Sequence, residues 1–76
     1  MSQNQKISVV IPVFNEEESI RPLYSKIVNE LDSFDTEIIF INDGSTDNTR
    51  KNILDIIQSD NSVLMVDFMR NFGKAA

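Results

Sequence analysis

Side chains able to grip a ligand gather at three places, each directly after an apolar run. Residues 7–14 lead into Asn15-Glu16-Glu17-Glu18, and residues 37–41 into Asn42-Asp43-Gly44-Ser45-Thr46. Residues 63–66 lead into Asp67-Phe68-Met69-Arg70-Asn71-Phe72-Gly73-Lys74. Carboxylates in such places accept hydrogen bonds from a base or from ribose hydroxyls, and Gly44 lets the backbone turn sharply beside a ligand. The commoner phosphate loops are excluded at the first place. It has no glycine and offers three acids, whereas dinucleotide and triphosphate loops need glycines so that backbone N–H groups can close on phosphate. The chain contains no histidine and no cysteine, so it has no imidazole or thiolate metal ligand.

Each cluster also has a plain structural reading. Three successive glutamates favour the positive end of a helix. Asp43-Gly44-Ser45-Thr46 suits a turn followed by a helix cap. Arg70 and Lys74 read equally as solvated charges, and Tyr24, at helical spacing, reads as core. Spacing alone leaves both kinds of reading open.

The elements that carry these clusters follow from hydrophobic pattern. Residues 7–14, 37–41 and 63–68 hold nearly unbroken apolar stretches rich in Val and Ile, the mark of strands buried on both faces of a parallel sheet. Between the first two, Ile20, Leu23, Tyr24, Ile27, Val28 and Leu31 keep helical spacing. Pro22 belongs in the first turn of that helix, which places its start near Glu18 or Ser19. Between the second and third, Thr46 is the expected N-cap and Ile53, Leu54 and Ile57 the apolar face. The result is an α/β chain of order β-α-β-α-β with a three-stranded parallel sheet.

Parallel crossovers are right-handed in nearly all cases, so a sheet in the order 3-2-1 carries both helices on one face. Ile7, Val9, Ile11 and Val13 then point one way, and Val10 and Phe14 the other. The second face is apolar and bare. Further chain must cover it, or copies of this chain must associate through it.

Composition bounds the partners. The 76 residues carry twelve acids against seven bases, a net charge of −5, and no basic cluster of the kind nucleic-acid backbones require. No apolar run reaches the length of a membrane span. Residues 1–6 read as a polar tail without signal-peptide character, and residues 7–76 as one partial domain. The absence of cysteine suits a reducing, cytoplasmic setting.

Taken together, the motifs resemble glycosyltransferase family 2, in the branch of dolichyl-phosphate mannose synthases and bacterial polyprenyl-phosphate sugar transferases. The resemblance rests on Ser8-Val9-Val10-Ile11-Pro12-Val13-Phe14-Asn15-Glu16-Glu17 and on Ile41-Asn42-Asp43-Gly44-Ser45-Thr46-Asp47-Asn48-Thr49. Its third element is Arg70-Asn71-Phe72-Gly73-Lys74-Ala75-Ala76. It implies the Rossmann-like N-terminal half of a GT-A domain. It also implies that Pro12, Phe14, Asn15 and Glu16 frame the base and ribose, that Ile41 and Asp43 contact the base, and that Lys74 lies near the diphosphate. The donor it implies is a UDP- or GDP-sugar, the acceptor polyprenyl phosphate, and the setting cell-envelope polysaccharide synthesis at the cytoplasmic face of the membrane. Where many members have two acids, this chain has Asn42-Asp43.

The family's aspartate-x-aspartate motif, which holds Mg²⁺ or Mn²⁺ against the diphosphate, follows a fourth strand and is absent from this sequence. The resemblance therefore assigns no catalytic and no metal-binding residue here, and implies a chain inactive by itself. The alternative from another class is a stand-alone α/β interaction module that self-associates through its exposed sheet face. A receiver-like phosphorylation domain is disfavoured, because the first strand ends in proline and phenylalanine rather than an acidic pair.

Overall fold

The computed structural model describes residues 6–68. Strand and helix alternate through them: β1 (Lys6–Val13), α1 (Ile20–Glu30), β2 (Asp35–Asp43), α2 (Thr49–Ser59) and β3 (Val63–Phe68). β2 lies in the middle, paired in parallel with β1 on one side and β3 on the other. This is the expected 3-2-1 order, read from the opposite edge.

Alternation along each strand divides the sheet into a covered and an open face. On the covered face Val13, Ile38, Phe40 and Val63 pack against Ile20 of α1 and Ile53 and Ile56 of α2. Each of these seven is at most 2% exposed, and burying a side chain of this size is worth about 1.5–3 kcal/mol. Both helices therefore lie on one side. The other side keeps its apolar residues in solvent: Val10 is 58% exposed, Leu64 46%, Val66 41% and Phe68 52%. The register aligns them into rows, Val10–Ile39–Leu64 and Pro12–Ile41–Val66.

Boundaries differ from the apolar runs because polar residues extend the ladder. β1 and β2 begin at the paired residues Lys6 and Asp35, and the Ser8 hydroxyl donates to Glu37 Oε1 at 3.0 Å. In α1, Pro22 falls third, within the first turn, after Ser19 at the N-cap position. Val28, expected in the apolar stripe, is instead 40% exposed. With Leu31 and Phe34 it lines an open depression of about 300 Å³ at the N-terminal edge of the sheet.

The start of α2 is a correction. Thr46 does not cap this helix; Asn48 holds the N-cap position and Thr49 is the first helical residue. Thr46 instead faces Asn15, to whose Oδ1 its amide donates at 2.7 Å and its hydroxyl at 3.4 Å. Ile56, which spacing did not single out, is buried with Ile53.

At the far end of the helices, Tyr24 of α1 donates its hydroxyl to Asp60 Oδ2, just beyond α2. Asp60 Oδ1 accepts the Ser62 hydroxyl at 2.7 Å and the Ser62 amide at 3.0 Å. The Ser62 hydroxyl, then the Tyr24 hydroxyl, hold the Asp60 carboxyl below its ordinary range. The same bond to Asp60 pushes the Tyr24 phenol up.

Candidate functional site

In parallel sheets ligands bind beyond the carboxyl ends of the strands. Two loops meet there: residues 14–19 after β1 and residues 44–48 after β2. Asn15 joins them. It adopts a left-handed backbone with φ 50°, a conformation that asparagine tolerates better than most residues. Its amide donates to Ser45 Oγ at 2.9 Å. Its side-chain Oδ1 accepts the amides of Thr46 at 2.7 Å and Asp47 at 3.3 Å.

A second set of bonds runs deeper. The Glu16 amide donates to Thr49 Oγ1 at 2.8 Å, and that hydroxyl donates onward to Asp47 Oδ1. Asp47 Oδ1 also accepts the Thr49 amide at 2.9 Å, and its Oδ2 accepts the Glu17 amide at 3.3 Å. Thr49 is fully buried, so its hydroxyl has no water to replace these partners. Desolvation pushes the Asp47 carboxyl up. The bonds from Thr49 and from the Glu17 amide together outweigh it and hold the group below its ordinary range.

Glu17 works in the opposite direction. Its Oε1 accepts the Asn48 amide at 2.8 Å and its carbonyl accepts Asn52 Nδ2 at 2.9 Å. The glutamate run therefore serves a helix N-terminus, as the plain reading held, but the helix is α2. The first turn of α1 contains no acid.

The expected contact residues fall into two groups. Pro12 and Ile41 are register partners on the open face, and Asp43, at the end of β2, is the register partner of Phe68. Phe14, 53% exposed, and the exposed Asn15 and Glu16 follow in the loop above. Asn15, Glu16, Glu17, Glu18, Ser19 and Asp47 line an open depression of about 350 Å³ at this edge. Oxygen-rich and open, it can accept hydrogen bonds from hydroxyl or N–H donors. Lys74 lies outside the described residues. Among the described residues, no group of three or more acids, histidines or cysteines converges to hold a metal ion.

Asn42 and Asp67, from the second and third clusters, complete the edge together with Arg50, which no cluster contained. Asn42, 1% exposed, accepts the Ser45 amide at 3.3 Å on Oδ1 and donates from Nδ2 to Asp67 Oδ1 at 3.1 Å. Asp67 Oδ2 takes Arg50 Nε at 2.7 Å. The Asp47-Asn48-Thr49 spacing was a usable signal for the second, deeper set of bonds, since an aspartate two residues before a threonine can accept both its amide and its hydroxyl. The Asn42–Asp67 pairing had no such local signal, being set by strand register.

Comparison with known proteins gives the family. The sequence profile of "Glycosyl transferase family 2" matches residues 8–76. The chain is 53% identical over 72 residues to a prophage bactoprenol glucosyl transferase homolog of Escherichia coli, a match that covers 91% of this chain and 23% of the relative. It is 50% identical to the bactoprenol glucosyl transferase of Shigella phage SfX, with the same coverage. It is 36% identical to a dodecaprenyl-phosphate galacturonate synthase of Rhizobium johnstonii, covering 97% of this chain and 23% of that one. The chain thus spans about a quarter of the length of these curated relatives.

Proposed function

The chain belongs to glycosyl transferase family 2, and on that premise we propose that the whole protein transfers a sugar from a UDP- or GDP-linked donor to polyprenyl phosphate. This segment supplies recognition of the base and ribose. The observation that carries the reading is the gathering of Pro12, Ile41 and Asp43 on one sheet face, directly below the Phe14-Asn15-Glu16 loop. That loop is held by backbone and side-chain bonds to its neighbour rather than left to find its position on binding, which lowers the ordering cost of capturing a ligand. The acceptor class is that of the relatives, whose names specify bactoprenol and dodecaprenyl phosphate. Lys74 would meet the diphosphate, and the divalent cation would be held by residues other than those described. When bound, that cation would neutralise charge on the leaving diphosphate.

The test is titration of the 76-residue chain with UDP, GDP and ADP, followed by amide resonances. Binding at about millimolar concentration, or −4 kcal/mol, is expected for UDP or GDP, with shifts centred on Phe14, Ile41 and Asp43. Saturating nucleotide that moves none of these resonances would overturn the assignment. Sugar transfer to polyprenyl phosphate, assayed on the whole protein with added Mg²⁺ or Mn²⁺, tests the reaction itself.

A second reading is favoured by the open sheet face. A module that pairs with a second copy would bury Val10, Leu64, Val66 and Phe68, all more than 40% exposed here. Light scattering on this chain distinguishes the two readings. A dimer that Val66→Lys converts to monomer, with no response to nucleotide, would favour the module.

A further inference from the structure

We propose that Asn42, Asp67 and Arg50 form a positioning relay for Asp43, and that position 42 must carry an amide because a carboxylate stands at 67. The functional half of this proposal rests on the nucleotide reading above. Asn42 and Asp43 are neighbours at the end of β2 and point to opposite faces, Asn42 inward and Asp43 towards the open side. The Asn42 side chain closes the turn that contains Asp43 and Gly44, by accepting the Ser45 amide at 3.3 Å. Gly44 completes that turn at φ 75°, a left-handed value suited to glycine.

The other end of the amide is anchored across the sheet. Asn42 and Asp67 are register partners, and Nδ2 reaches Asp67 Oδ1 at 3.1 Å. Asp67 is held in turn by Arg50 of α2 at 2.7 Å. An amide carries its acceptor and its donor on separate atoms, so it can take the Ser45 amide on one side and reach Asp67 on the other, which a carboxylate cannot do. A carboxylate at 42 could still accept from Ser45, but it would face Asp67 acceptor to acceptor and charge to charge. The Arg50 side chain is 57% exposed, and an exposed ion pair contributes little energy by itself. Its role is to fix the direction of Asp67, hence of Asn42, hence of the turn that aims Asp43.

The test compares wild type, Asn42→Asp and the swapped pair Asn42→Asp/Asp67→Asn in the 76-residue chain. Two readouts are taken: hydrogen exchange of the Ser45 amide, and titration with UDP and GDP. Asn42→Asp is expected to lower Ser45 protection and nucleotide affinity by about tenfold at pH 7.5. The swapped pair, which restores a donor opposite an acceptor, should recover both to within about threefold. Acid should also rescue Asn42→Asp, since one proton shared between the two carboxyls recreates the lost donor. Wild type should show no such rescue.

Unchanged Ser45 protection in Asn42→Asp overturns the relay, whatever happens to binding. Lost protection with unchanged affinity overturns the positioning role. If wild type binds neither nucleotide, the nucleotide reading fails separately, and recovery of Ser45 protection in the swapped pair still supports the relay. Should Asn42→Asp fail to fold at pH 7.5, folding of the swapped pair supports the proposal and its failure to fold overturns it.

Discussion

The Glu17 carboxylate accepts the Asn48 amide at 2.8 Å, although 31 residues separate them and they lie in different loops. Asn48 occupies the N-cap position of α2 but makes no side-chain cap bond of its own. Glu17 instead accepts the N-cap residue's own amide from outside the helix, and its negative charge also suits the helix dipole. The β1–α1 loop is therefore part of the start of α2, and the two loops behave as one unit at the carboxyl end of the sheet. Loss of Glu17 should cost what loss of a cap costs. Glu17→Ala is expected to lower unfolding free energy by about 1 kcal/mol, and Glu17→Gln, which keeps an acceptor, by less. Denaturant unfolding checks both, and equal losses would show that the carboxylate's charge rather than its acceptor matters.

Asn15 permits a sharper separation of causes. Its side chain contributes only an acceptor to the clasp, receiving the Thr46 and Asp47 amides, while its backbone stands at φ 50°. Asn15→Asp keeps the acceptor and the tolerance for this conformation, and should leave stability nearly unchanged. Asn15→Gly keeps only the conformation and should lose about 0.5–1.5 kcal/mol for the lost bonds, because these amides are exposed and water can replace the acceptor. Asn15→Ala should lose roughly 1–2 kcal/mol more, the cost of a left-handed backbone with a Cβ. Thermal or denaturant unfolding of the three variants reads the order directly.

Much of this arrangement was legible in the sequence. Continuous apolarity in residues 7–14 and 63–66 gave parallel strands, buried on one face, and right-handed crossovers placed both helices on that face, leaving Val10 exposed as expected. Pro22 located the first turn of α1. What escaped was decided by contacts between segments distant in sequence. Thr46 has a good capping side chain, yet its amide and hydroxyl both donate to Asn15 and the helix starts three residues later. Glu17 reads locally as an acid before α1 and acts on α2. Asn42 reads as a substitute for an acid, and its partner at position 67 becomes visible only once register pairs β2 with β3.

The acid limb of stability should trace to two of these contacts. The carboxyls of Asp47 and Asp60 both sit below their ordinary 3.8 in the folded chain. The unfolded chain therefore binds more protons than the folded one in this range, and stability rises with pH. The stabilisation is present in full above the unfolded value and is lost as pH falls through the lower folded values. Unfolding midpoints measured from pH 6 downward should hold steady at first and decline below about pH 4. Asp47→Asn and Asp60→Asn should each flatten that decline, because the titrating group is gone. The Tyr24–Asp60 bond supplies an internal check at the other end of the scale. The Tyr24 phenol is raised above its ordinary 10.0, chiefly by the bond to Asp60, so its contribution is present below that value and lost as pH rises through the higher folded one. Tyr24→Phe should then remove the alkaline decline while leaving most of the acid decline, which also draws on Asp47 and on the Ser62 bonds to Asp60. If Tyr24→Phe abolishes the acid decline as well, the loop clasp at Asp47 contributes nothing to it, and the role assigned to that carboxylate is wrong.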